Sequence, residues 1–317
     1  MEKQEAASEL QIAWHLEGGA PAGAIPTRWV AQDSTSAQLT VARAAILGGT
    51  IESVEEFVRS TRFDLEHSDT QWNDPQLALR SLAKAGKLGV SLGFIGSDYA
   101  AMEAFGRLWR LRNLKARYSR PRLVPWASHT FGVAVTLVSA DGLLIVGRRG
   151  QAASRGQGMR TCAVNEGMLE RDVDVQASSK EPKPSVAAAV VRGVEEELGL
   201  VVPASAASVS TLFVVTGEHQ WGMAGWCDLR GTQWTASEIL RAHTDAIDGW
   251  EADISAVEPA PDAVKQLLSE SDWVPLGALS VAVTLQGAFG MDLWAMEKEF
   301  GRYFEVASVA GGTGASA

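Results

Sequence analysis

Apolar and polar residues follow two different periods along this chain of 317 residues. In FGVAVTLVSADGLLIVGRR (131–149), two apolar runs flank Asp141-Gly142. An Asp-Gly pair between two such runs predicts a β-hairpin. In DYAAMEAFGRLWRLRN (98–113), apolar residues recur every three or four positions, which predicts an amphipathic helix with Ser97 as its cap.

Residues typical of helix starts and helix ends predict two further helices. The segment 185–198 (SVAAAVVRGVEEEL) follows Pro184 and ends before Gly199, and proline and glycine favour these two positions. Thr235 and Glu238 have capping-box spacing, which predicts a helix starting at Thr235. The remaining predicted elements are strands at 10–17, 62–68, 87–95, within 160–168, at 210–217, 221–229 and near 251–257, and helices at 34–47, 50–60, near 261–270 and near 276–286.

A stretch with two prolines and two arginines, SRPRLVP (119–125), indicates a domain seam. We therefore predict an α+β protein with a small N-terminal α/β domain (1–125), a second domain (126–305) and a disordered tail (306–317). The polar, proline-containing segment near 170–184 is predicted to be an exposed insertion in the second domain.

Composition and charge exclude some classes of function. The chain is 46% hydrophobic and 21% charged, as in ordinary globular proteins, and its net charge of -10 argues against a nucleic-acid binder. No apolar run approaches the roughly 18 residues of a membrane span. The charged N-terminus and the two distant cysteines favour a cytoplasmic protein.

The segment RGVEEELGL (192–200) places three glutamates side by side. They are either a solvated helix end or carboxylates that hold a cation. On a helix, positions 193, 196 and 197 share one face, whereas Glu195 points about 100° away from Glu196, towards water. We therefore expect Glu196 and Glu197 to face a hard cation such as Mg²⁺.

The order of hairpin, loop, glutamate-bearing helix and further strands resembles the Nudix hydrolases. Their signature is G-x5-E-x7-R-E-U-x-E-E-x-G-U, where U is bulky and apolar. The second half is matched by Arg192, Val194, Glu196, Glu197, Gly199 and Leu200. The resemblance implies an α/β/α sandwich with a mixed sheet, bound Mg²⁺ or Mn²⁺, and hydrolysis of a diphosphate bond.

The chain departs from this signature in its first half. Gly193 stands where the family has a glutamate, and the loop glycine is best matched by Gly167, with 170–183 as an insertion. Glu166 then lies at the mouth of the loop. We predict that Glu166 faces the metal and offsets the missing carboxylate; the alternative is a loop residue in water.

The resemblance also suggests accessory residues. Arg192 would orient the helix carboxylates, and Glu251 would be an additional metal or base carboxylate, with Glu218 and Glu258 as competitors. Arg148 and Arg149 are candidates for binding phosphate, since guanidinium groups are bidentate donors. Each of these residues is also compatible with a purely structural or surface role. The five histidines show no spacing typical of zinc ligands.

Two functions are compatible with these residues. The first is metal-dependent cleavage of a nucleoside diphosphate linked to another group. The N-terminal layout of RFDLEHS (62–68), Tyr99 and Trp109 resembles Nudix enzymes that act on UDP-sugars. The second is a catalytically degenerate Nudix domain that senses or binds a small nucleotide, as Gly193 would favour.

Overall fold

The structure is a computed structural model, and it describes residues 10–30, 59–60, 75–84, 87–111, 123, 129–151, 156–174, 182–244, 251–270 and 272–291. The strands in this part of the chain are β1 (Leu10–Pro21), β2 (Thr27–Trp29), β3 (Pro75–Ala83), β4 (Ser91–Asp98), β5 (His129–Val138), β6 (Leu144–Arg149), β7 (Arg160–Cys162), β8 (Val164–Gly167), β9 (Val173–Asp174), β10 (Lys183–Pro184), β11 (Ala207–Val215), β12 (Gln220–Asp228) and β13 (Glu251–Val257). The α-helices are α1 (Tyr99–Leu111), α2 (Val186–Leu198), α3 (Ala236–His243), α4 (Pro261–Glu270) and α5 (Pro275–Phe289).

Strand β5 organises one large mixed sheet. The sheet runs in the order β1-β11-β12-β5-β3-β4-β2; β6 and β8 also pair with β5, while β7 and β13 pair with β6. β5 is parallel to β12 and antiparallel to β3, β6 and β8. Nine of its ten residues are buried, because β5 is covered on both faces.

Helices α2 and α5 cover opposite faces of this sheet. The buried side of α2, with Val190 and Val194, joins one apolar cluster with Val133 and Val135 of β5. Helix α5 belongs to the other cluster, which contains Ala134 of β5. The described part is thus a mixed α/β structure with a large curled sheet, compatible with the predicted α+β class.

The predicted hairpin turn and the predicted caps of α2 and α3 are confirmed. Gly142 lies in the turn between β5 and β6 with φ 83°, and Gly199 ends α2 with φ 68°. At the start of α2 the Ser185 side chain accepts a hydrogen bond from the amide of Ala188. Thr235 and Glu238 form the predicted capping box of α3. These features depend on few residues close in sequence, which makes them readable from the sequence.

One local prediction is wrong. The amide of Ala101 in α1 donates to Oδ1 of Asp98 at 2.8 Å, so Asp98, the last residue of β4, caps this helix instead of Ser97. The exposed insertion near 170–184 stays a prediction; among its described residues, Asp172 is only 2% exposed. A partner for the Asp172 side chain, described below, is the reason for this burial.

Strands from both sides of the predicted seam share the sheet. β1 pairs with β11, and β3 pairs with both β4 and β5. The division at residue 125 stays a prediction, as do the helix at 34–47 and the strand at 62–68, which lie outside the described residues. In the described part of the chain, no helix is long and apolar enough to cross a membrane.

Candidate functional site

Helix α2 presents its three adjacent glutamates to three different surroundings. Glu195 is exposed, as its helical position predicted, whereas Glu196 is half-buried. Glu197 is 1% exposed and faces the protein interior. The three side chains therefore differ in their surroundings because successive helical positions are rotated by about 100°.

The guanidinium group of Arg192 lies at the centre of a carboxylate cluster. Its Nε donates to Oδ1 of Asp172 at 2.9 Å and its Nη2 to Oδ2 of Asp172 at 3.2 Å, a bidentate pair. Nη1 donates to Oε2 of Glu166 at 2.8 Å and to Oε2 of Glu196 at 2.5 Å. Nη2 also donates to the carbonyl of Gly167 at 2.6 Å. Arg192 thus ties β8, the following loop and α2 together.

Asp172 is the member of this cluster that the sequence did not reveal. Its Oδ2 accepts the amide of Leu169 at 2.8 Å, and its carbonyl accepts the amide of Ser185, the N-cap of α2, at 2.8 Å. Counted from Gly167, the signature glutamate would fall on Val173, one residue after Asp172. The sequence signal that could have identified Asp172 was therefore a carboxylate one residue before the position given by the signature spacing.

Gly193 and Glu166 are in direct contact. A Cβ atom added to Gly193 would lie 2.6 Å from Cγ of Glu166 and 2.6 Å from Cγ1 of Val164. Real Cβ atoms essentially never approach so closely, so β8 packs against α2 because residue 193 lacks a side chain. The Glu166 side chain occupies the space beside position 193 and reaches Arg192 from the strand.

Burial sets the electrostatics of Glu166. Desolvation raises the pKa of Glu166, opposed by the charge and hydrogen bond of Arg192 and by a hydrogen bond with Glu197. Burial lowers the pKa of Arg192, but the hydrogen bonds and charges of Asp172 and Glu166 together outweigh it and leave that pKa raised. Arg192 therefore stays protonated at any physiological pH.

The cluster carries an excess of negative charge. Arg171 adds a second guanidinium, whose Nη2 donates to Oε1 of Glu196 at 2.9 Å. Three carboxylates (Glu166, Asp172 and Glu196) thus contact the two guanidinium groups, and Glu197 adds a fourth beside Glu166, which leaves two negative charges when all are ionised. Hard oxygen donors with this excess charge suit a divalent cation in chemistry.

Hydrogen bonds from Arg192 and Arg171 set the orientation of these carboxylate oxygens. Both oxygens of Glu196 and one of Glu166 accept hydrogen bonds from guanidinium groups. Among the residues that the structure describes, no group of three His, Cys, Asp or Glu side chains is arranged to hold a metal ion. A cation bound here would compete with Arg192 and Arg171 for the same oxygens.

The other predicted site residues lie on β6 and β13. Nη1 of Arg148 donates to the carbonyl of Gly158 at 2.6 Å and so braces the loop after β6. The backbone of Glu251 pairs with Arg149 across the two strands. The side chain of Glu251 lies outside the described part, so its role stays a prediction.

The site thus unites four of the seven predicted residues: Glu166, Arg192, Glu196 and Glu197. No protein-family model matches the chain, and a search of curated proteins found no match to it.

Proposed function

We propose that this chain is a metal-dependent pyrophosphohydrolase of the Nudix type, which cleaves a nucleoside diphosphate linked to another group. The supporting observation is the contact between Glu166 and Gly193. Because of this contact, the Glu166 side chain of β8 lies beside Glu196 and Glu197. In the Nudix signature, a glutamate at position 193 would supply that carboxylate. A UDP-sugar is the substrate class that the N-terminal resemblance suggests.

Glu166, Glu196 and Glu197 would hold Mg²⁺ or Mn²⁺ in this proposal. The cation would neutralise charge on the diphosphate and lower the pKa of an attacking water. Arg192 keeps Glu166 and Glu196 at fixed positions through its hydrogen bonds at 2.8 and 2.5 Å. Arg148 and Arg149 would contact phosphate oxygens as bidentate donors, and Glu251 would accept a proton from the water.

We also propose the finer architecture that the Nudix resemblance implies. The helices on both sides of the sheet support a Nudix-type α/β/α sandwich spanning 126–305, with the N-terminal part (1–125) as a flanking domain. A small nucleotide-type ligand is the proposed partner, without nucleic acid or membrane, and the cytoplasm is the proposed location.

A second candidate is a degenerate Nudix domain that binds a nucleotide without hydrolysing it. Two observations favour it: a side chain at position 193 would collide with Glu166 and Val164, and the oxygens of Glu196 are already held by arginines. Under this alternative the carboxylate cluster would be structural, and the ligand would be recognised elsewhere on the domain.

Phosphate-release assays distinguish these candidates. Purified protein with Mg²⁺ or Mn²⁺ would be assayed against UDP-sugars, ADP-ribose, NADH, dinucleoside polyphosphates and nucleoside triphosphates. We expect turnover that falls at least about 100-fold, on the order of 3 kcal/mol, in the Glu196→Gln, Glu197→Gln double variant. Glu195→Gln is the matched control, since this exposed neighbour should retain wild-type turnover.

Two other results of the phosphate-release assay would contradict this expectation. Absence of turnover across the panel, together with thermal stabilisation by one nucleotide, would favour the binding module. Turnover that survives in a folded double variant would refute the assignment of these glutamates. Thermal unfolding of each variant controls for loss of the fold, because Glu197 is buried.

A further inference from the structure

Helix α1 packs against the turn between β11 and β12 through Trp109. This side chain is 1% exposed, and its Nε1 donates to the carbonyl of Thr216 at 2.8 Å. Its ring meets the imidazole of His219 edge to face, with centroids 4.1 Å apart. Phe105, one helical turn earlier, also approaches His219, with ring centroids 6.4 Å apart. The turn is therefore the surface on which this end of α1 rests.

His219 is held in that turn in an unusual backbone conformation. Its φ is 55°, the only positive value at a non-glycine residue in the described part of the chain. The residue is 3% exposed, although it lies in the turn between two strands. Such a conformation costs about 1–3 kcal/mol and persists only where the surroundings impose it.

Hydrogen bonding fixes which imidazole nitrogen carries the proton. Nε1 of Trp221 donates to Nδ1 of His219 at 3.2 Å, so Nδ1 is an acceptor and the neutral ring carries its hydrogen on Nε2. Within the described residues, Nε2 has no hydrogen-bond partner. A neutral ring tolerates this position, but the position offers nothing that would stabilise a charged ring.

Protonation would remove what holds His219 in place. A proton on Nδ1 would face the N–H of Trp221, so the hydrogen bond would be replaced by two opposed donors. It would also place a positive charge in a site that is 3% exposed. The imidazole gains solvation by leaving the turn, and Trp109 then loses the ring on which it packs.

The groups around His219 offer it little compensation. Phe105 and Trp109 of α1 and Trp221 of β12 are uncharged. The ring of His129 of β5, with its centroid 4.5 Å away, supplies no negative charge that would stabilise a protonated His219. The adjacent Glu218 is 3.6 Å from Nη1 of Arg110, and Arg110 also contacts Glu103 of α1.

We propose that His219 is an acid-sensitive anchor for helix α1, so that protonation of its imidazole releases α1 from the β11–β12 turn while the rest of the sheet persists. The release is local because α2 and α5 pack on the sheet through two apolar clusters that contain no residue of α1. The device is independent of the proposed hydrolase activity.

The pKa of His219 supports release of α1 at acidic pH. Burial lowers the pKa of His219 to about 4. A released imidazole has an ordinary pKa of about 6.5, so release becomes more favourable as the pH falls below 6.5. At pH 5.5, one unit below that value, linkage predicts an opening constant about tenfold larger than at neutral pH.

Hydrogen–deuterium exchange of the full chain tests the proposal. Exchange would be measured at pH 7.5 and 5.5 and corrected for the intrinsic rates. We expect the protection of peptides from 99–111 to fall about tenfold at pH 5.5 and to stay well below that of peptides from 275–289 in α5 at both pH values, because α1 opens without global unfolding. Equal protection of the two helices at both pH values, or no fall in the protection of α1, would overturn the proposal.

Two variants assign the effect to His219. His219→Asn tolerates a positive φ but does not titrate, so its α1 protection should be independent of pH over this range. Glu218→Gln removes the ion pair with Arg110 and should retain the tenfold response. A response that persists in His219→Asn, or that disappears in Glu218→Gln, would overturn the assignment. If His219→Asn folds poorly, His219→Gly serves instead, since glycine adopts positive φ without strain.

Discussion

Gly193 and Glu166 show how one absent side chain determines the position of another. Strand β8 approaches α2 so closely that Cγ of Glu166 lies 2.6 Å from the position of a Cβ on residue 193. Glu166 then extends along the helix to Arg192, at 2.8 Å. The two residues are 27 positions apart in sequence, and neither suggests the other by its type. We infer that they are energetically coupled.

A double-mutant cycle measures this coupling. Gly193→Ala should lower the free energy of unfolding by about 1–3 kcal/mol, because the new methyl group overpacks a tight contact. In a Glu166→Ala background the cost should be smaller by about 1 kcal/mol, since Cγ is gone. Urea denaturation of the four proteins provides the measurement.

Gly106→Ala is the matched helical control for this cycle. Its nearest neighbour would be the flexible side chain of Arg110 at 3.7 Å, so alanine should stabilise the protein by up to about 1 kcal/mol through helix propensity. Strictly additive effects of Gly193→Ala and Glu166→Ala would contradict the contact between them.

At the scale of elements, α5 depends on close approach to the sheet. The helix is apolar on all sides, with ten buried residues between Leu276 and Leu285. At its start, a Cβ on Gly277 would lie 2.6 Å from Cα of Thr161 and 2.8 Å from the amide nitrogen of Cys162. These are backbone atoms of β7, which cannot move aside as a flexible side chain does.

Gly277→Ala should therefore destabilise the protein, although alanine favours a helix by about 1 kcal/mol. We expect a net loss of about 1–3 kcal/mol in the free energy of unfolding. Gly231→Ala is the control, because no atom lies within 4 Å of its Cβ position, and it should be neutral within about 0.5 kcal/mol. Equal midpoints in urea for the two variants would show that α5 is not packed so closely.

At the scale of the whole molecule, residues from distant parts of the chain form one sheet. Strand β1 pairs with β11 and β3 pairs with β5, so the first hundred residues contribute to the same sheet as the candidate site. His219 and Trp109 connect the two parts again, through α1 and the β11–β12 turn. The stability of the whole molecule should therefore respond to the charge state of His219.

The pH dependence of unfolding follows from the lowered pKa of His219. The folded protein binds this proton at about pH 4, whereas the unfolded chain binds it at about 6.5. The stabilising contribution is thus complete above pH 6.5 and is lost as the pH falls towards 4. The expected loss is on the order of 3 kcal/mol.

Chemical denaturation of wild type and His219→Asn between pH 4 and 7.5 checks this expectation. The difference in free energy of unfolding between the two proteins should shrink as the pH falls from 6.5. A constant difference would mean that His219 titrates alike in the folded and unfolded states. Other groups that titrate in this range affect both proteins and cancel in the difference.

Features that depend only on neighbouring residues could be predicted before the fold was known. The hairpin at Asp141-Gly142, the capping box at Thr235 and the αL end of α2 at Gly199 each require a few adjacent side chains. The exposure of Glu195 followed from helical period alone. In these cases backbone conformation and local hydrogen bonds fix the outcome.

Contacts between side chains that are distant in sequence could not be predicted in this way and depend on the folded chain. The tertiary structure paired β5 with β12 in parallel, buried Asp172 against Arg192, and packed Glu166 against Gly193. It also enclosed His219 beneath α1, which its sequence neighbours do not indicate. These contacts depend on strand order, on register and on how closely a strand approaches a helix. Such quantities arise from packing the whole sheet and are not encoded in any single local pattern.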